Sequence, residues 1–363
     1  MLSGLTKLLD KAFVLGFFLP SLLGILGFLY ANRDVSAFCE LLNRATADSK
    51  ELGNLVSVLA LVWVFAILLM VLNSPIYKVL EGYVWPLRRR YWTKGQCTAQ
   101  SEKRKEINTL REALRVAKNN AERLGRDPDQ AKEYEIAETT RLSIRRKLFP
   151  AEEQFSRKFP PEERHVLATS FGNALRAFES YSTEMYGADS IYLWPRLLAV
   201  IPHDYQSVIA DARAYVDFFV GLVLVACITG ISTLVRALYL WLFHLPLPAA
   251  LIMSLLLATV VAALVAWGAY QLAIVSARRW GDVVKSAFDL YLPALAQSLG
   301  YVLPESSEGQ RRFWKKWSQQ FKFHWPVDTR GWKRITPTAT ETRKESAAPP
   351  ENAGDDSERS DGG

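Results

Sequence analysis

Polar and apolar positions segregate into long blocks along this 363-residue chain. A hydrocarbon core about 30 Å thick needs roughly 20 apolar residues at a helical rise of 1.5 Å each. Residues 12–31 (AFVLGFFLPSLLGILGFLYA) supply such a run without a charge, and residues 53–73 (GNLVSVLALVWVFAILLMVLN) supply a second. Residues 215–235 form a third, with Asp217 near its edge, and residues 247–275 form a fourth that is long enough to tilt. The pattern predicts an all-α, polytopic membrane protein with four transmembrane helices and a helical cytoplasmic domain. The first run is longer than a usual signal-peptide core and no small-x-small pair follows it, so it is expected to be retained.

The segments between the spans each have a pattern of their own. In residues 74–97, Pro75 is expected to kink or end the second span. Beyond it, Ile76, Val79, Leu80, Tyr83, Val84 and Leu87 make one apolar helical face, with Trp85, Tyr91 and Trp92 as belt aromatics. Arg88, Arg89 and Arg90 then face lipid phosphate, which predicts an amphipathic helix lying in the inner interface; a helix continuing straight out of the membrane is the alternative. In residues 98–148, Ile107, Leu110, Leu114, Ala117, Ala121 and Leu124 alternate steps of three and four, an a/d seam. GRDPD at 125–129 stops that helix, and a second stretch returns with Tyr134, Ala137, Ile144 and Leu148 inward. A helical hairpin is predicted, whose seam pairs either within one chain or between chains.

Residues 149–214 are dense in proline and aromatics and predict a compact helical domain next to the membrane. Pro160 and Pro161 are expected to start a helix bearing Val166, Leu167, Phe171, Leu175 and Phe178 on one side. His203 to Ala214 should begin a helix that runs into the third span. Residues 276–335 open with Arg278 and Arg279 and then interleave cations with aromatics, including Trp314, Lys315, Lys316 and Trp317. These six residues are assigned to lipid headgroups, with docking on the cytoplasmic domain as the competing arrangement. Residues 336–363 are polar and aperiodic, and a disordered tail is expected there.

Small residues mark two faces within the spans: Gly16, Gly24 and Gly27 on the first, and Ser254, Ala258, Ala262 and Ala266 at strict four-residue steps on the fourth. Such faces let helices approach closely, either within one four-helix bundle or between subunits of a homo-oligomer. Asp217, about one turn inside the third span, is read as an interfacial acid capping its helix. Proton-coupled transport is disfavoured, because no charge sits at the centre of any span.

Composition and charge sharpen this picture. Mean hydropathy is close to zero at +0.02 with a net charge of +7, so the apolar blocks are balanced by strongly charged ones. Lys and Arg cluster after the second and fourth spans (Arg88 to Lys94, Arg278 to Lys285), whereas the 236–246 linker has only Arg236. The positive-inside rule therefore puts residues 1–11, the 74–214 segment and the chain beyond 275 in the cytoplasm, against anionic lipid. Cys39, Cys97 and Cys227 fall outside, inside and within the membrane, so no pair is expected within one chain.

Sites of familiar chemistry are missing from the chain. It has no glycine-rich phosphate loop, no GxSxG and no HExxH, and His165, His203, His244 and His324 are scattered. No cofactor, metal or enzymatic activity is expected, and no oligonucleotide-binding pattern accompanies the basic aromatic segment, so nucleic acid is not an expected partner.

The stretches VLNSPIYKVLEGY and TSFGNALRAFESYSTEMYGADSIYLWPRLL resemble those of a group of uncharacterised bacterial integral membrane proteins, in which LLEGYW-like and FGNALRAFExY…YGxD…WPRL-like sequences recur. The resemblance implies a multi-pass protein of the bacterial cell (inner) membrane and supplies no activity. Two spans, an insert, two spans and a tail is also the layout of flagellar stator subunits and bestrophin-like channels, an analogy of arrangement only. Two functional expectations follow. The favoured one is a non-enzymatic scaffold or sensor whose cytoplasmic helical domain binds a protein partner. The alternative is a homo-oligomeric ion channel.

Overall fold

A computed structural model describes residues 10–31, 51–85, 90–243 and 249–335. Four of its helices are long and apolar enough to cross a membrane. They are α1 (Lys11–Ala31), α2 (Glu51–Glu81), α8 (His203–Phe243) and α9 (Ala249–Ser298). Between α2 and α8 lie α3 (Arg90–Leu124), α4 (Ala131–Lys158), α5 (Ser170–Glu179), α6 (Tyr181–Tyr186) and α7 (Ser190–Val200); α10 (Ser307–Phe323) follows α9. The only β-bridge among the described residues is an isolated one from Tyr301 to Arg334. The protein is an all-α, multi-pass membrane protein with an additional helical lobe.

The organising element is the antiparallel pair α8 and α9. With 41 and 50 residues, the helices are about 62 and 75 Å long, twice or more the hydrocarbon thickness. They touch from the Thr233–Thr259 hydroxyl bond (2.9 Å) at one end to Tyr205 at the other, whose hydroxyl donates to the Val283 carbonyl at 3.1 Å. Within the span, α9 presents Leu255, Thr259, Ala262, Ala266, Ala269 and Ala273 to its neighbours, alternating steps of four and three. That spacing averages 3.5 residues per turn and keeps facing one partner. The strict four-residue stripe predicted from Ser254 through Ala266 instead rotates by about 40° per step and drifts off the contact. Ala262 is buried against Gly230, while Ser254 is exposed and donates back to the Leu251 carbonyl.

On the first span, Gly16 and Gly24 do lie against α8. A Cβ at Gly24 would stand 2.1 Å from Val225 Cγ1, and one at Gly16 3.2 Å from the Asp217 Cβ. A Cβ at Gly27 would meet nothing within 4 Å among the described residues, so its assignment to helix packing is corrected. Gly27, Ser254 and Ala258 instead line an apolar cleft of about 460 Å³ between α1, α8 and α9, and Gly24 borders it as well.

Three expected boundaries are also corrected. Among the described residues of 74–97 there is no separate amphipathic helix: α2 continues through Pro75 to Glu81, the alternative of a continuing helix, and α3 begins at Arg90. Arg88 and Arg89 lie outside the described residues, as does the Arg90 side chain. The prolines at 160–161 do not start a helix; an extended stretch and a short 3₁₀ turn precede α5, which begins after Thr169. Nor is 276–335 a separate segment, because α9 continues unbroken through Arg278 to Ser298 and becomes the spine of the lobe.

The lobe closes a hydrophobic core around this spine. Leu193 and Leu197 of α7, Phe288, Leu292 and Leu295 of α9, and Phe313, Trp314 and Trp317 of α10 are buried together. Trp314 is 0% exposed and Trp317 8% exposed, so neither reaches lipid headgroups. Tyr301, just past the end of α9, packs edge-on against Phe313 and at a tilt against Trp317. That places α10 against the end of α9, about 35 Å along the spine from Val275. The α3–α4 hairpin projects separately. Its seam residues Ile107 and Ala121 are buried and Leu110, Leu114, Ala117 and Leu124 half-buried, opposite Ala137, Ile144 and Leu148 of the return helix.

Candidate functional site

The most elaborate polar arrangement lies where α2 leaves the span bundle and meets the lobe. Asp217 sits in the interior of α8, fourteen residues past its start at His203, so it does not cap the helix as the sequence reading had it. It is 6% exposed. Tyr77 donates its hydroxyl to Asp217 Oδ1 at 2.7 Å and Asn73 its amide at 3.0 Å, both from α2. Arg213, one turn earlier on α8, approaches Oδ2 at 3.7 Å and lies 5.8 Å from the Trp280 ring of α9. Next to it, Lys11 of α1 pairs with Asp211 at 2.5 Å. One carboxylate thus ties α2 to α8, and its neighbours extend the link to α1 and α9. A buried carboxylate with two charge-assisted bonds is well held, whereas removing it leaves two buried donors unmade.

The end of α2 is built to dock. Gly82 takes φ +90 and closes the helix: its N–H donates to the Val79 carbonyl and that of Tyr83 to Lys78. This is the paired bonding of a glycine-terminated helix. Only a glycine fits here on two counts, because a Cβ would also stand 2.9 Å from that of Ala168. The Thr169 hydroxyl donates to the Leu80 carbonyl at 2.6 Å and accepts from the Gly172 N–H at 3.0 Å. One hydroxyl therefore satisfies the C-terminal end of α2 and the N-terminal end of α5. Gly172 presses on α2 so closely that a Cβ would sit 2.5 Å from the Glu81 carbonyl oxygen.

Side chains of α5 complete the joint. Asn173, fully buried, holds the Leu167 backbone through both N–H and C=O and donates to Gln96 of α3 at 3.3 Å. Arg176 donates to the Tyr83 hydroxyl at 2.6 Å and pairs with Glu179 at 3.1 Å. Burial raises the Glu179 carboxyl above the ordinary carboxylate range, and Arg176 offsets part of that rise. The Tyr77 ring packs edge-on against Phe171, and the Tyr270 hydroxyl of α9 accepts from the Phe171 N–H.

The two stretches that carry the sequence resemblance therefore meet at this joint. Their conspicuous residues, Glu81, Gly82 and Tyr83 in one and Gly172, Asn173 and Arg176 in the other, are its contact points. Asn73, Tyr77, Thr169 and Asp217 complete the site. Hydrophobic periodicity could not single them out, because their roles depend on partners 89 to 144 residues away; the motif wording was the one usable signal.

Other predicted site residues are dispersed. Arg279 is exposed at the level where α9 leaves the span, and Arg278 is half-buried with its Nε lacking a hydrogen-bond partner. Among the described residues, no three His, Cys, Asp or Glu side chains gather as metal ligands. Cys97 and Cys227 are free, and Cys39 lies outside the described residues. Chemically the joint is a clamp: it holds helix ends and a buried carboxylate, and offers neither a nucleophile with a base nor an open anion cradle. Comparison with protein-family models finds no match, and comparisons with curated proteins and with solved structures find none either.

Proposed function

We propose that this chain is a non-enzymatic scaffold or sensor of the bacterial inner membrane, with its lobe in the cytoplasm and a protein partner bound there. One observation carries the reading. The lobe's core is assembled on the continuation of α8 and α9, and the Asp217 and Gly82 contacts lock α2 onto the same body. Tilting or rotating a span then moves the lobe with it, which is what a transducing membrane anchor requires. The exposed Arg279 and half-buried Arg278 suit anionic inner-leaflet lipid. The projecting α3–α4 hairpin, its seam covered by its own return helix, leaves both outer faces for a partner.

The homo-oligomeric channel remains the second reading, and the cleft lined by Gly24, Gly27, Ser254 and Ala258 favours it, since small residues at an open face suit another subunit's helix. Against it stands the apolar lining of the cavities within the spans. Native mass spectrometry of the protein released from lipid nanodiscs separates the two. One or two copies carrying a retained cytoplasmic protein is the expected result. A ring of four or more copies that also conducts ions in planar bilayers would overturn the scaffold reading.

A further inference from the structure

Helix α10 has two chemically opposite sides. Phe313, Trp314, Trp317 and Ser318 are buried in the lobe, while Arg311, Arg312, Lys315 and Lys316 are exposed on the other side. The segment that follows folds back beside this face. Trp332 packs on Phe313 with 4.6 Å between ring centroids, Lys316 Nζ lies 5.5 Å from the Trp332 ring, and the Arg334 guanidinium 5.6 Å from the Tyr301 ring. Exposed Arg330, Lys333 and Arg334 thus extend the same basic surface. Glu308 holds Arg312 and Asp328 holds Arg330. Arg311, Lys315, Lys316, Lys333 and Arg334 have no ion-pair partner among the described residues. A concentration of cations without ion-pair partners attracts a polyanion.

The chain itself encodes one. Residues 345–363 (ESAAPPENAGDDSERSDGG) carry Glu345, Glu351, Asp355, Asp356, Glu358 and Asp361 against Arg359 alone. They begin ten residues beyond Ile335, whose N–H donates to the Gly300 carbonyl within the basic surface. Ten residues reach up to about 33 Å, enough to return anywhere on α10. A tether of this length gives an effective concentration in the millimolar range, so weak salt-dependent ion pairing suffices for occupancy.

We propose that the acidic segment 345–363 docks on the basic face of α10. It thereby screens that face from other acidic protein segments, a consequence that rests on the partner-binding reading; the docking itself does not.

The test uses the chain in lipid nanodiscs, whole and shortened by residues 345–363, with a labelled peptide of that sequence as probe. Zero-length carbodiimide coupling in the whole chain should join Lys315, Lys316 or Lys333 to carboxylates of 345–363 at low ionic strength and lose these links at about 0.5 M salt. The peptide should bind the shortened chain about tenfold or more tightly than the whole chain. Lys315→Glu with Lys316→Glu should weaken that binding about tenfold, with Lys→Gln at the same sites giving a smaller loss. Because both lysines are exposed, an unchanged unfolding midpoint verifies the fold, and cross-linking of the unmodified chain decides the matter if the variants misfold. The proposal is overturned if no such links form, if they fall instead on lysines of the α3–α4 hairpin, or if the peptide binds both chains equally. It is overturned equally if the shortened chain captures an oligonucleotide but not the peptide. No second protein enters the assay, so its outcome is independent of whether the scaffold reading survives.

Discussion

The half of the span bundle nearest the lobe and the half furthest from it are packed by different rules. Near the lobe, contacts are specific: Asp217 accepts from two side chains of α2, Thr169 bridges two helix ends, and Gly172 touches backbone. Far from it, helices meet through small residues with little polar chemistry, and cavities of about 460 and 220 Å³ remain between them. Apolar surface gains nothing from leaving lipid, so a membrane bundle tolerates gaps that a water-facing core would not. The lobe lacks that freedom, because its ring-filled core loses stability with each void. Precision is concentrated where the two solvents meet.

Substitutions can break this contrast, and the largest effect is expected in the lobe. Trp314→Ala should cost about 3–5 kcal/mol by opening a cavity in the α7–α9–α10 core. Thermal unfolding followed by tryptophan fluorescence checks this, and a midpoint unchanged from the unmodified chain would put Trp314 back at the lipid surface. At the joint, Asp217→Ala should cost about 1–3 kcal/mol by stranding the Tyr77 and Asn73 donors. Asp217→Asn, which keeps an acceptor, should lose less, and equal losses would argue that the carboxylate is not what holds α2. Within the spans, Ala262→Leu should cost about 1–3 kcal/mol by driving bulk into Gly230. Gly27→Leu, facing open space, should stay within about 0.5 kcal/mol. Melting in detergent compares the two, and similar losses would erase the difference between packed and cleft-facing positions. The smallest effect concerns pH. With its carboxyl raised by burial, Glu179 holds a proton in the folded lobe that the unfolded chain releases. Stability should therefore fall as pH rises from the ordinary carboxylate range through the raised value, and be greatest below it. Glu179→Gln should flatten that part of the denaturation-midpoint profile.

Much of the fold was legible because membrane spans are written in composition, which needs no knowledge of partners. The α3–α4 hairpin was legible for a related reason: its seam is local, and GRDPD marks the turn. What escaped was continuity. Arg278 and Arg279 read as the end of the fourth span, yet buried apolar positions three or four apart carry on through Val284, Phe288, Leu292 and Leu295, so burial simply passes from lipid to protein without a break in the helix. Pro75 and Pro293 likewise stand inside helices, since packing on both sides outweighs the lost backbone bond. Trp314 and Trp317 misled because an aromatic beside a lysine looks the same whether its ring enters lipid or a core. At the joint, Gly82 and Gly172 stood in the two stretches singled out in the sequence but carried no signal of their own, because close approach leaves no periodic trace.

The shared spine also fixes an order of assembly. Helices α5 to α7 leave the ribosome before α9, yet the core they need is supplied by residues 277–296 of α9 and by α10 after it. Until the fourth span has been threaded into the bilayer, the earlier helices have only their contacts with α2 to α4 and lack the larger part of their core through the synthesis of roughly a hundred further residues at about 5–20 residues per second. Chaperone demand during biogenesis should therefore peak between the third span and α10, and maturation of the lobe becomes a report that insertion has succeeded.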